Sequence, residues 1–179
     1  ESHVDRSIVD PVGFVSNNIL IMLQLLEYAR RARPKMFVQV STDEVYGPAP
    51  IGYAHQEWDP VIPSNPYSAS KAAQEAIAVA YWRTYAVPVV LTNTMNMIGE
   101  MQDREKYLPL VIGRVLRGEV VPVHASVEGI IGARHYLHAR NLADAITFLL
   151  DRDVAMHSDG ADRPDRFHIV GEVETDNLT

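Results

Sequence analysis

The sequence predicts an α/β fold built around a parallel sheet, and three observations support this prediction. Two short apolar runs rich in β-forming residues, 36–40 (MFVQV) and 87–91 (VPVVL), are typical of strands buried on both faces. Between them lies an alanine-rich segment of helical composition that begins with Asn65 as cap and Pro66 in the first turn. Strand, helix and strand in this order predict a βαβ unit with parallel strands and a right-handed crossover.

The other elements are predicted from caps and periodicity. Asp10 and Pro11 predict the start of a helix that ends near Arg33, because Pro34 follows. Its apolar residues extend beyond one stripe, which predicts burial on a second side, in part by another subunit. Further helices are expected over 106–117 and 139–150, and further strands over 120–124 and 167–170.

Two segments are expected to be loops. The stretch 42–65 is rich in proline, and a loop of this length inside a compact domain is usually functional. The polar stretch 151–166 is expected to be mobile.

Composition narrows the functional classes. The 179 residues, 47% hydrophobic and 22% charged, suffice for a globular domain with a core. The net charge of -7 argues against a nucleic-acid binder. Zero cysteines exclude disulfides and thiolate chemistry and suit a reducing, cytoplasmic location. No apolar run of the roughly 20 residues that a membrane span needs is evident, so no membrane partner is expected.

Polar side chains follow both predicted strands and open the helix between them. Residues 41–44 (STDE) follow the first strand, 92–96 (TNTMN) follow the second, and 67–71 (YSASK) open the helix. Ligands of open α/β sheets bind beyond the carboxyl ends of the strands. These groups are therefore expected to converge on one crevice.

Tyr67 and Lys71 are spaced i and i+4, which places them on one face of the predicted helix. A tyrosine with an ordinary pKa of about 10 is a poor base at neutral pH, and a nearby ammonium is expected to lower that pKa. Such a pair suits the removal of a hydroxyl proton as hydride leaves the same carbon. By spacing alone, a surface tyrosine beside a solvated lysine is the commoner arrangement.

The adjacent acids Asp43 and Glu44 also allow two interpretations. They are either a solvated turn at the end of a strand or an acid and a base held together for catalysis. The convergence with Tyr67 and Lys71 favours the second.

The motifs PYSASK (66–71) and STDEVYG (41–47) resemble the extended short-chain dehydrogenase/reductase family. They are most similar to its nucleotide-sugar 4,6-dehydratases, above all those that act on dTDP-glucose. ESHVDRSI (1–8), EKYLPLVI (105–112) and RHYLHARNLADAI (134–146) resemble the same family in the same order, so the resemblance spans essentially the whole chain. The YxxxK spacing from Tyr67 to Lys71 is moderately specific for the family. The triplet TDE at 42–44 is more specific for its dehydratases, because the family's sugar 4-epimerases typically have a serine-rich turn there.

The resemblance implies the later part of a doubly wound, Rossmann-type parallel sheet and part of a small substrate-binding domain. Residues 1–100 would form the C-terminal half of an NAD-binding domain, and residues 101–179 most of an incomplete substrate-binding portion. It also implies a homodimer formed through the helices at 11–33 and 66–86.

The resemblance further implies a redox-neutral elimination. Tyr67 takes the proton of the sugar 4-hydroxyl while NAD accepts hydride from C4, with Lys71 as its partner. Glu44 removes the C5 hydrogen, Asp43 protonates the departing C6 hydroxyl, and hydride returns to C6. Thr42 hydrogen-bonds near the 4-oxygen.

Other positions are assigned by the same resemblance. Cofactor contacts are expected at Asn17, Tyr67, Lys71 and Met97. Substrate contacts are expected at Ser2, Thr42, Asn96, Lys106, Tyr107, Pro122, His124 and Arg134, the arginine binding diphosphate with its planar fork.

Several positions depart from the family pattern around the nucleotide pocket. The family usually has Asp-Trp after the arginine, where this chain has His135 and Tyr136. His124, Met97 and Tyr107 replace a common tyrosine, an asparagine and a small aliphatic residue. The pair His135 and His138 is too weak a pattern to predict a metal, and no metal is expected.

The family's glycine-rich turn, which brings backbone amides to the NAD pyrophosphate, is not among these residues. Gly129 and Gly132 have suitable spacing but no strand–turn–helix pattern around them. The chain is therefore interpreted as the later part of a dehydratase: a fragment, a split gene product or a degenerate remnant. By itself it is expected to bind NAD poorly. The alternatives are a sugar 4-epimerase and a non-catalytic dimerising module.

Overall fold

The computed structural model describes residues 1–50, 52–127 and 129–178, without the side chain of Ser158. It divides into two compact units. The first comprises residues 1–94 and 146–168, and the second comprises 95–145 and 169–179. The sequence predicted one boundary at residue 100, whereas the chain passes between units after residues 94, 145 and 168. The chain returns to the first unit at residue 146 and to the second at residue 169. Such returns depend on long-range packing, which composition does not reveal.

Three helices form much of the first unit: α1 (Val4–Val9), α2 (Pro11–Ala32) and α3 (Pro66–Tyr85). The predicted caps are confirmed, since the Asp10 side chain accepts a hydrogen bond from Gly13 N, and Asn65 forms a capping box with Ser68. The helix α1 was not predicted.

The sheet of the first unit has the order β1–β2–β6. β1 (Phe37–Thr42) and β2 (Val89–Thr94) are parallel, with a register running from Phe37 opposite Val89 to Thr42 opposite Thr94. The predicted βαβ unit is thus confirmed, with both strands ending two to three residues later than expected. The third strand, β6 (Asp165–Ile169), corresponds to the strand predicted at 167–170.

The core of the first unit lies where α2 and α3 meet the sheet. Trp82 of α3 is fully buried among Met22, Leu26 and Leu91. Its indole N–H donates to the Ala155 carbonyl at 2.6 Å, which satisfies the polar atom that burial would otherwise orphan.

α2 also carries apolar side chains outside its buried stripe. Its exposed apolar side chains are Val12, Leu20, Ile21, Leu25 and Tyr28. By length and composition α2 would suffice to cross a membrane, contrary to the sequence analysis, although a core helix passes the same test. The predicted burial of a second side of α2, in part by another subunit, stays a prediction, because these side chains are exposed in the single chain.

The second unit has short strands and two helices that the sequence predicted. Its elements are β3 (Met97–Ile98), α4 (Tyr107–Leu116), β4 (Ala133–Arg134), β5 (Leu137–His138), β7 (Thr175–Asp176) and the first part of α5 (Ala139–Leu150). β3 pairs with β5 in parallel, and β4 with β7 antiparallel. The strand predicted at 120–124 is wrong, because these residues have no regular structure. Two-residue strands leave no periodic pattern, so the sequence did not reveal them.

The segment predicted as a loop at 151–166 is only partly irregular. It contains a 3₁₀ turn, His157–Asp159, and its last residues already belong to β6.

Candidate active site

Thr42 connects the end of β1 to the two acids. A 3₁₀ turn, Asp43–Tyr46, begins directly after it, and the Thr42 hydroxyl accepts a hydrogen bond from Glu44 N at 3.3 Å. The same hydroxyl donates to Asp43 Oδ1 at 3.1 Å. Because Thr42 is itself buried, these bonds fix both acids at the carboxyl end of β1, as the sequence predicted.

Glu44 is held by the residue that caps α3. The side-chain amide of Asn65 donates to Glu44 Oε2 at 3.1 Å, while its carbonyl oxygen accepts from Ser68 N at 2.9 Å. One side chain thus starts the helix and orients the carboxylate. The sequence predicts Asn65 as a cap, but its contact with Glu44 joins residues 21 positions apart and appears only in the folded chain.

Tyr67 lies in the first turn of α3, against the same acids. It forms a side-chain hydrogen bond with Thr42. Burial raises the pKa of Tyr67 to about 12, and the charges of Glu44 and Asp43 act in the same direction. The prediction that this pKa would be lowered is wrong for the chain described here. Desolvation and two nearby carboxylates both disfavour a phenolate, and together they outweigh the Thr42 bond.

Lys71 is anchored to the backbone of β1. Its ammonium donates to the Val40 carbonyl at 2.6 Å. Burial lowers the pKa of Lys71, and the charge of Glu75 opposes that change. Tyr67 and Lys71 both lie in the first two turns of α3, where their i, i+4 spacing places them on one face of the helix.

The structure brings Thr42, Asp43, Glu44, Tyr67 and Lys71 to one edge of the sheet. A protonated phenol stands beside two oriented carboxylates, an arrangement suited to acid–base chemistry on a hydroxylated substrate. A cation bound next to Tyr67 would favour its phenolate and make it a stronger base at neutral pH.

Asn17, the expected cofactor contact on α2, is exposed, whereas the neighbouring Asn18 is buried. The Asn18 amide donates to Ser70 Oγ at 2.9 Å, and its backbone carbonyl accepts from Gln74 Nε2 at 2.8 Å. Asn18 thus joins α2 to the helix of Tyr67 and Lys71. Its spacing of four from Phe14 and Met22 could have identified it as an inward-facing position.

The remaining predicted residues are distributed between the two units. Ser2 is exposed in the first unit. The second unit contains the others, with Lys106, Tyr107 and Arg134 half-buried and Asn96, Met97, Pro122 and His124 exposed.

Within the second unit, Asn177 joins Tyr107 and Tyr136, two positions that depart from the family pattern. Its carbonyl accepts a hydrogen bond from the Tyr107 hydroxyl at 2.6 Å, and its Oδ1 accepts from the Tyr136 hydroxyl at 2.8 Å. Arg134 donates to the adjacent Ala133 carbonyl at 2.7 Å. Asn177 was not predicted from the sequence, because nothing in its local pattern points to these distant tyrosines.

The two histidines considered as a metal pair are engaged with protein groups. His135 Nδ1 lies 3.0 Å from the Gly171 carbonyl, and His138 Nδ1 accepts from Arg140 N at 3.2 Å.

Comparison with known proteins identifies close relatives. Residues 1–161 match the profile of the NAD dependent epimerase/dehydratase family. The dTDP-glucose 4,6-dehydratase of Streptomyces niveus is 39% identical over 99% of this chain and 49% of its own length. That of Haemophilus influenzae is 41% identical over 69% of this chain and 40% of its own length. The chain spans about half the length of the curated relatives it matches.

Solved structures confirm the predicted Rossmann-type α/β fold. A dTDP-glucose 4,6-dehydratase from Streptomyces venezuelae with NAD bound gives a TM-score of 0.84 at 34% identity, over 99% of this chain and 52% of that one. The UDP-glucose 4-epimerase of Thermus thermophilus, also with NAD, gives 0.85 at 27% identity, over 98% of this chain and 55% of that one. Since both enzyme types match, the fold alone does not distinguish a dehydratase from an epimerase.

Proposed function

This chain belongs to the NAD dependent epimerase/dehydratase family, and from that membership we propose that it is the later part of a dTDP-glucose 4,6-dehydratase. The reaction is the conversion of dTDP-glucose to dTDP-4-keto-6-deoxyglucose, with NAD as cofactor. The observation that supports it most is the pair of oriented carboxylates, Asp43 and Glu44, beside Tyr67. Elimination of water across C5 and C6 needs an acid and a base in addition to the base for the 4-hydroxyl, whereas inversion at C4 needs only the base for the 4-hydroxyl.

Tyr67 is the base for the 4-hydroxyl. Its phenolic oxygen takes the proton when the C4–H hydride leaves, and the Thr42 hydroxyl, already bonded to Tyr67, contacts the same sugar oxygen. Lys71 favours the phenolate by its charge once the site is filled. Oxidation at C4 makes the C5 hydrogen acidic, which prepares the elimination.

Glu44 and Asp43 divide the elimination between them. Glu44, oriented by Asn65, removes the C5 proton, and Asp43, oriented by Thr42, gives a proton to the C6 hydroxyl, which leaves as water. The C5–C6 double bond then receives hydride at C6 and the proton from Glu44 at C5. The product has the same oxidation level as the substrate overall, so no external reductant is required.

NAD supplies the site with a hydride acceptor that becomes the hydride donor. Tyr67 and Lys71 fit the nicotinamide end of this cofactor, because the bond to Val40 engages only one of the three donors of the Lys71 ammonium. Asn17 and Met97 are the further proposed contacts. The pyrophosphate end is different: Gly129 has φ 80°, but the short strand β4 follows it and not a helix. The part of the chain that the structure describes contains no glycine-rich strand–turn–helix cradle for the pyrophosphate.

Turnover by the full-length product of the encoding reading frame tests the proposal. With NAD and dTDP-glucose, we expect a 4-keto-6-deoxy sugar, identified by NMR as a new C6 methyl group. Clean inversion at C4 would establish the epimerase instead, and binding of NAD without turnover would favour a non-catalytic module. UDP-glucose, tried in parallel, shows which donor nucleotide the protein accepts.

We also propose a cytoplasmic homodimer formed through α2 and α3. The exposed apolar side chains of α2 support it, as do exposed alanines at 69, 76 and 80, which would let another helix approach α3 closely. Two copies of this helix pair would form a four-helix bundle. The absence of cysteine suits the reducing cytoplasm.

Replacing Leu20 and Leu25 together by Glu is expected to separate this dimer. Both side chains are half or more exposed, so the change should spare the monomer fold but place unpaired charges in the bundle. Analytical ultracentrifugation should then show a monomer. Ile62→Glu, at a loop position that is 67% exposed, is the matched control and should remain dimeric. A dimer that survives the double change, or a wild-type chain that floats with lipid vesicles, would contradict this interface.

A further inference from the structure

A buried ion pair lies behind the proposed active site, and the mechanism above does not use it. Arg166 of β6 donates to Glu75 Oε2 of α3 at 2.8 Å, and the two side chains are only 3% and 2% exposed. Glu75 lies one turn beyond Lys71, on the helix face that also bears Tyr67.

The ion pair reaches the first residue of the acid-bearing segment through Asn93 of β2. The Asn93 amide donates to Glu75 Oε1 at 2.7 Å and to the Thr42 carbonyl at 3.0 Å. The Thr42 carbonyl belongs to the peptide group that joins Thr42 to Asp43. Fixing this oxygen therefore fixes the point where the chain leaves β1 and turns.

The ion pair reaches the last residue of the same segment through Tyr46. Arg166 donates to the Tyr46 hydroxyl at 2.9 Å, and that hydroxyl donates to the Glu57 carbonyl at 2.9 Å. Tyr46 is 3% exposed, and the Arg166 guanidinium lies 4.3 Å from the centre of the Trp58 ring. One buried hydrogen-bond network thus contacts the segment Thr42–Tyr46 at both ends.

Stability is a poor explanation for this network. A buried ion pair is often no more stabilising than apolar residues of similar volume. Moreover, Arg166 Nε and Asn93 Oδ1 have no hydrogen-bond partner within the described part of the chain. The network therefore lacks some of its possible hydrogen bonds, yet it is bonded to both ends of the turn that bears Asp43 and Glu44. Such a network is better suited to fixing the position of these two acids than to stabilising the fold.

We infer that Glu75 and Arg166, acting through Asn93 and Tyr46, are positioning residues that hold the Thr42–Tyr46 segment so that Asp43 and Glu44 face the substrate. This inference rests on the proposed function. It assigns the network to the elimination step, because the segment bears the acid and the base of that step. The base for oxidation at C4, Tyr67, lies in the first turn of α3 and outside the Thr42–Tyr46 segment.

The test uses the full-length protein with both charges removed together, as Glu75→Gln with Arg166→Met. Removing one partner would leave a lone buried charge and could unfold the protein, whereas removing both avoids this. We expect a folded variant whose kcat falls roughly 10–100-fold, the effect of a small misplacement of catalytic groups. KM should stay within about twofold, because uniform substrate binding is retained. Reduced nicotinamide should accumulate during a single turnover, because elimination becomes slower than oxidation.

Arg163→Met is the matched control. Arg163 also lies over Trp58, at 5.0 Å, but it is 53% exposed and outside the network. Its loss should leave kcat and the absorbance trace unchanged. A folded double variant with wild-type kcat, or one that loses activity without accumulating reduced nicotinamide, would overturn the inference.

Tyr46→Phe serves if the double variant does not fold. It removes one oxygen and should give a smaller version of the same pattern, whereas wild-type kcat in this variant would refute the role of the network. Should the wild-type protein fail to convert dTDP-glucose, the proposed function is lost but the positioning is still measurable. Amide hydrogen exchange at residues 43–47 should then be faster in Tyr46→Phe than in wild type, and equal exchange would refute it.

Discussion

Replacing Glu44 by Gln is expected to stop the reaction after the sugar has been oxidised at C4. Glutamine keeps the size of the side chain and can still accept the Asn65 hydrogen bond through its carbonyl oxygen, but it cannot take a proton from C5. Loss of a general base typically slows a reaction by about 10²–10⁴-fold. Formation of the 4-keto-6-deoxy product should fall by that factor, while reduced nicotinamide accumulates on the enzyme.

Solvent deuterium distinguishes the base from the acid. Glu44→Gln should not incorporate deuterium at C5, whereas Asp43→Asn should still exchange that hydrogen while eliminating water slowly. Glu119→Gln is the control, because Glu119 forms an exposed ion pair with Arg117 in the second unit. Unchanged turnover in Glu44→Gln would remove Glu44 from the role of base.

Replacing Tyr67 by Phe is expected to block the earlier step, the oxidation at C4. The change removes only the phenolic oxygen, so the edge-on ring contact with Phe14 and the start of α3 should persist. Turnover should fall by about 10²–10⁴-fold without accumulation of reduced nicotinamide, because no hydride is transferred. Tyr85→Phe, on the same helix but exposed, is the control. Normal oxidation in Tyr67→Phe would show that another group takes the proton.

The pKa of Tyr67, about 12, gives this residue a measurable signature without any turnover. In the protein without NAD, the difference between the ultraviolet titrations of wild type and Tyr67→Phe should correspond to one tyrosine near this value. Adding NAD should lower the pKa, because the oxidised nicotinamide carries a positive charge and favours the phenolate. A titration that NAD leaves unchanged would contradict its proposed place beside Tyr67.

The same shift has a defined effect on stability. The folded state keeps the Tyr67 proton to a higher pH than the unfolded chain, whose tyrosine pKa is about 10. Between about 10 and 12 the folded state therefore binds more protons, so the free energy of unfolding falls as the pH rises through this window. Urea denaturation of wild type and Tyr67→Phe should show a shallower fall in the variant.

Local patterns predicted the local structure well. Caps at Asp10 and Asn65 and the apolar runs at 36–40 and 87–91 led to α2, α3, β1 and β2, because each of these signals acts within a few residues. The prediction of a strand at 120–124 was wrong because an apolar run forms a strand only where another strand pairs with it, and pairing is not a local signal.

The inward-facing position Asn18 was not predicted. The structure buries Asn18, whereas Asn17, the cofactor contact that the resemblance implies, is exposed and stays a prediction. One residue along a helix is a rotation of about 100°, enough to reverse the face on which a side chain lies. The four-residue spacing of Asn18 from Phe14 and Met22 contained this information.

The sequence by itself determined which chemical groups this protein places beyond its strands: Thr42, Asp43, Glu44, Tyr67 and Lys71, with the family resemblance that gives them roles. Only the tertiary structure decided how these groups act on one another. In the folded chain Asn65 donates a hydrogen bond to Glu44, and Lys71 donates one to the Val40 carbonyl. Burial raises the pKa of Tyr67, and Glu75 pairs with Arg166, 91 residues away in the chain. Burial and charge interactions depend on distance through space, which the spacing of residues along a sequence does not specify.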